Sequence, residues 1–99
     1  MSRVVVHIDR DLSDLVPGFL ARKREDLAAI IRAVEVGDPA ALASLGHKIK
    51  GEGGSYGLDE ITEIGAALEH AANASDLPAV RQCARGLEAF LDNLEIVYD

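Results

Sequence analysis

One stretch of the chain combines residue types that could do chemistry: Leu45-Gly46-His47-Lys48-Ile49-Lys50-Gly51-Glu52-Gly53-Gly54-Ser55-Tyr56-Gly57. Leu42, Leu45 and Ile49 recur at +3 and +4, the spacing that lays one helix face on a core. Ser44, His47 and Gly51 then share an outward stripe, with Lys50 three residues after the histidine and Lys48 beside it. A neutral imidazole is a nucleophile near pH 7 and can form a covalent intermediate. Phosphoryl transfer suits such a residue, because it needs mainly positioning and charge stabilisation. Lys48 and Lys50 can balance a dianionic phosphoryl group. Gly51 leaves space one turn on, where the active site of another protein could approach.

The glycines carry a cost. Each mid-helix Gly is worse than Ala by roughly 0.8–1 kcal/mol, so Gly46, Gly51, Gly53 and Gly54 tax any helix that contains them. A purely structural helix has no reason to accept this, whereas a surface for close docking of another backbone does. Taken singly, the histidine could be a solvated side chain, the lysines solvated charges and the glycine run an ordinary loop. Their joint spacing favours the chemical reading. The other candidates are weaker. His7 lies in an extended segment, and His70 has no Glu-x-x-His pairing that would suggest a metal centre. Cys83 adjoins the core position Ala84 and reads as buried and inert. Tyr56 could pack beneath the end of the histidine's helix or rim the docking surface.

The rest of the chain must position this stretch. Residues 1–10 are polar apart from Val4, Val5, Val6 and Ile8; β-branching favours an extended arm here, lying against helices for want of a partner strand. Asp11–Val16 can make a short helical turn. A helix over about 17–36 follows, with Val16, Leu20, Leu27, Ile30 and Val34 inward and Phe19 and Ile31 widening the stripe; Gly37 ends it. Asp38 and Pro39 restart helix formation as N-cap and first helical residue. A further helix spans about 59–73, with Ile61, Ile64, Leu68, Ala71 and Ala72 inward. The last spans about 77–97, carrying the most regular stripe: Val80, Ala84, Leu87, Leu91, Leu94 and Tyr98. Four amphipathic helices joined by short loops predict an all-α, antiparallel up-down-up-down four-helix bundle, one domain over 1–99 with its short N-terminal arm and turn.

Composition narrows the function. With 48% hydrophobic residues, wholesale disorder is not expected. A net charge of −7 argues against nucleic acid, whose backbone needs a basic face. The positive residues cluster at Arg22-Lys23-Arg24 and at Lys48 and Lys50. A single cysteine permits no intramolecular disulfide and fits a reducing compartment. No apolar run approaches the roughly 18 residues of a membrane span, and no secretory signal is evident, so a cytoplasmic location without membrane contact is expected. A nucleotide-using kinase is not expected, because no phosphate-cradling Gly-rich loop follows a strand. A ligand- or metal-binding bundle would need polar groups pointing inward, and only Lys23, near the edge of a face, comes close.

His47-Lys48-Ile49-Lys50-Gly51 followed by Gly54 and Gly57 resembles the signature of histidine phosphotransfer (HPt) domains: His, Lys at +3, Gly at +4 and Gly at +10. The likeness extends to Asp14-Leu15-Val16-Pro17-Gly18-Phe19-Leu20, the Asp38 restart and Ile64-Gly65-Ala66-Ala67-Leu68-Glu69, and covers nearly the whole chain. The resemblance implies a phosphorylated histidine at His47, the conserved lysine at Lys50, a frequently basic position at Lys48, and a docking surface at Gly51, Gly54 and Gly57 with Ser44 beside it. It implies response-regulator receiver domains or a hybrid histidine kinase as partners, with the receiver supplying Mg²⁺, and no cofactor or metal in this chain. A phosphorelay carrier is expected, with a monomer the default for so small a transfer module. The rival within the same fold is a non-transferring receiver-binding scaffold or phosphate sink, in which the histidine would be dispensable.

Overall fold

The computed structural model describes residues 3–99; the first two residues of the expected arm lie outside it. The chain runs β1 (Val4–Ile8), a 3-10 turn (Arg10–Leu12), α1 (Val16–Val36), α2 (Pro39–Ser55), α3 (Asp59–Asn73), α4 (Leu77–Asn93) and β2 (Leu94–Tyr98). Four helices make up most of the molecule. No helix among the described residues is long and apolar enough to cross a membrane.

Local chemistry sets the boundaries. Pro17 stands in the first turn of α1, and Gly37, left-handed at φ 70°, ends it. The Asp38 carboxylate accepts the Ala41 N–H at 3.1 Å and caps α2. Asp76 does the same for α4 through Ala79 at 3.2 Å. The apolar stripes meet in a core whose least exposed members include Phe19, Ile30, Leu42, Ile49, Ile61, Leu68 and Leu87. Two positions differ from the heptad-like reading: Ile31, expected inward, is exposed, and Phe90, which the expected stripe left out, is buried on α4.

The N-terminal segment is not an unpaired arm. β1 pairs in parallel with β2, in the register Val4↔Leu94 through Ile8↔Tyr98. The last helix accordingly stops at Asn93 rather than near 97. The misreading has a simple cause: Leu94 and Tyr98 are four apart, which fits a helix turn and also two steps of a strand. Ile96 between them completes the strand's inward set with Leu94 and Tyr98, opposite Val4, Val6 and Ile8.

Helix α2 packs most intimately on α3. A Cβ on Gly46 would stand 2.5 Å from the Glu69 backbone nitrogen, and one on Gly65 would meet the Lys50 backbone. Further along, Gly53 faces the Thr62 backbone. The contacts advance along α2 as they retreat along α3, so this pair is antiparallel. Gly46, Gly53 and Gly65 therefore serve close approach within the molecule, and only part of the glycine run is left for another protein.

Candidate functional site

Successive residues of α2 face different neighbours, because each step turns the helix by about 100°. Gly46 lies against α3, His47 points to solvent, Lys48 turns to α1, and Ile49 is buried in the core. Leu45 is half-buried. The His47 side chain is 74% exposed, and its Nδ1 lies 3.2 Å from Oε2 of Glu69 on α3. Lys50 Nζ lies 3.8 Å from the other oxygen of the same carboxylate. Imidazole, ammonium and carboxylate thus form one cluster across the α2–α3 seam. The sequence assigned Glu69 no part in it.

Around the imidazole the surface is open. Ser44 and Gly51 are exposed, and a Cβ added at Gly51 or at Gly54 would meet nothing within 4 Å. Gly57, also exposed, is placed beyond the helix end. Its φ of 67° is a left-handed conformation that disfavours side chains, and it lets the Leu58 N–H reach back 2.9 Å to the Gly53 carbonyl. Its requirement is conformational, to turn the chain from α2 into α3.

Lys48 belongs to a different cluster. Its Nζ donates to Asp26 Oδ1 on α1 at 2.9 Å, and that bond holds the ammonium above the ordinary lysine range. The other Asp26 oxygen accepts from Lys23 Nζ at 2.5 Å, and Lys23 donates equally closely to Glu52 of α2. Lys23, expected near a face edge, has no exposure at all, and Asp26 has almost none. Lys23 sits 5.3 Å from the Phe19 ring centroid, and Phe19 stacks on Tyr56 at 4.2 Å, which places Tyr56 beneath the end of α2. The basic run of α1 is divided among tasks: Arg22 approaches Glu52, Lys23 is interior, and Arg24 pairs with Asp92 of α4.

The remaining candidates stand apart. His7 pairs with Asp99 on the outer face of the strand ribbon. His70 is exposed on a shallow groove between α3 and α4. Cys83 is half-buried beside that groove, and burial pushes its thiol above the ordinary range, away from the reactive thiolate.

The chain thus combines four helices with an exposed histidine, a lysine at +3 and a glycine at +4. The family model of the Hpt domain matches residues 14–96, and the chain belongs to the Hpt domain family. Hpt domains are phosphocarriers of two-component signalling rather than catalysts, and they interact with receiver domains and histidine kinases. No curated protein and no solved structure matches the chain.

Proposed function

We propose that His47 accepts and donates the phosphoryl group in a phosphorelay, exchanging it with receiver-domain aspartates. The observation that carries this reading is the cluster at the α2–α3 seam: a solvent-facing imidazole whose Nδ1 is turned to Glu69 while Lys50 shares the same carboxylate. With its proton on Nδ1, facing the carboxylate, the ring directs the lone pair of Nε2 outward. Nε2 attacks phosphorus of the aspartyl phosphate. A P–N bond forms, the P–O bond to the aspartate breaks, and the aspartate leaves as a carboxylate. The ring gains positive charge as it bonds, and Glu69 offsets it. Lys50 attends the phosphoryl oxygens, with Lys48 a second cation held a step away by Asp26. Ser44, Gly51 and Gly54 form the surface on which the partner rests, with Gly57 at its border.

The test is incubation with a phosphorylated receiver or donor kinase and labelled phosphate. Wild type is expected to carry an acid-labile, base-stable phosphoramidate. His47→Gln is expected to fold and take no label, and His70→Gln to label normally. Equal labelling of His47→Gln would move the site to another residue. A His47→Gln protein that still binds receivers and functions fully would make the chain a non-transferring scaffold.

A further inference from the structure

We infer that Lys23, Asp26 and Glu52 are positioning residues: with Lys48 they form an ionic latch between α1 and α2 that sets the roll of α2 and so aims His47. The order of contacts is Lys48–Asp26–Lys23–Glu52, with each helix contributing one cation and one anion. Lys48 and Glu52 are one turn apart on α2 and follow His47 and Gly51 by one residue each. The anchored stripe therefore lies about 100° around the helix from the stripe that carries the imidazole. On the other flank, Gly46 and Gly53 lie against α3. The outward stripe is fixed from both sides, by backbone contact on one and by charge on the other.

Burial suits the cluster to setting roll rather than to adding stability. Lys23 and Asp26 are removed from water, which offsets most of what their attraction gains, and apolar pairs of similar volume often hold a fold as well. What apolar residues lack is direction. Charged groups with fixed partners admit one register and one roll, whereas a greasy seam admits several. A roll of about 10° moves a side-chain tip some 5–6 Å from the axis by about 1 Å. Displacement of that size can cost on the order of 100-fold in a reaction that depends on alignment.

This inference rests on the phosphocarrier reading of His47, and its test separates the two. In the Lys23→Met/Asp26→Leu variant the remaining partners, Glu52 and Lys48, both reach solvent, so no charge is stranded in the interior. Its melting temperature is expected to stay near the wild-type value. Two readouts are then taken: the ¹⁵N shifts of the His47 ring, and the rate of transfer from a phosphorylated receiver. In wild type the ring proton is expected on Nδ1. In the variant it is expected to be shared between the nitrogens, with transfer slower by about 10- to 100-fold. A folded variant whose ring shifts match wild type overturns the inference. So does a wild type whose proton is already shared as in a free imidazole. Should the double variant fail to fold, Glu52→Gln, on the more open side of the latch, decides the matter by the same shifts. A wild type with its proton on Nδ1 that accepts no phosphoryl group would overturn the phosphocarrier reading and leave the positioning inference to the ring shifts.

Discussion

The imidazole of His47 and the carboxylate of Glu69 come from different helices and meet at 3.2 Å, with one carboxylate oxygen turned to each of His47 and Lys50. The glycines beneath make this possible. Gly46 and Gly65 bring the backbones of α2 and α3 so close that a short acidic side chain on one reaches the ring on the other.

Glu69→Ala should therefore impair the chemistry more than the fold. The side chain is partly exposed, so its loss should change stability by no more than about 0.5 kcal/mol. Phosphorylation of His47 should slow by roughly 10²-fold, the scale of a lost orienting and charge-balancing group. Glu69→Gln, whose amide oxygen can still accept a hydrogen bond from Nδ1–H, should fall between. Thermal melts and single-turnover labelling would check both halves.

Two glycines of one helix should answer oppositely to the same kind of change. Gly51→Leu adds a side chain where a Cβ meets nothing, and should stabilise by up to about 1 kcal/mol while transfer falls steeply. Gly46→Ala drives a methyl into the α3 backbone and should destabilise by about 1–3 kcal/mol. Urea denaturation of the pair gives the signs. Wild-type transfer by Gly51→Leu would place the docking face elsewhere.

Lys50→Ala should leave receiver affinity nearly intact and slow transfer, since its ammonium stands by the imidazole's carboxylate rather than under a partner's footprint. Affinity and rate measured separately on the same samples would show the split.

Asp26 holds Lys48 protonated above the ordinary lysine range. Free lysine titrates at about 10.4, so this contribution to stability is complete below that pH and is lost as pH rises through the higher folded value. Lys48→Met should remove that part of the alkaline loss. Its melting temperature should fall less steeply than the wild type's above about pH 10, and melts across that range would show it.

The helices were legible because their signals are local. Asp38-Pro39, Gly37 and the +3/+4 apolar spacing lie within a few residues of the boundaries they mark, and α3 falls on its expected 59–73. The stripe bearing Ser44, His47 and Gly51 was legible for the same reason, being one helix's periodicity. The missed features are contacts between segments. Glu69 carries no sequence mark tying it to His47, although it lies beside the inward Leu68. Lys23 was read from its edge-of-stripe position, and its burial depends on two carboxylates, one of them on another helix. The β1–β2 pairing unites residues from opposite ends of the chain, where no spacing rule operates.

That ribbon shapes how the molecule assembles and opens. Parallel strands need a crossover between them, and here the crossover is the four helices. Joining the two strands closes the longest loop in the chain, the step with the largest closure entropy. The helices can collapse first on contacts between sequence neighbours, and the ribbon then zips last. With only two strands it is also the first unit to fray, and its amides should exchange ahead of those in α2 and α3. Among the described residues, the ion pairs of His47, Lys48 and Lys50 run to α1 and α3 and not to the ribbon. Breathing at the ribbon should therefore spare the ion pairs around the histidine.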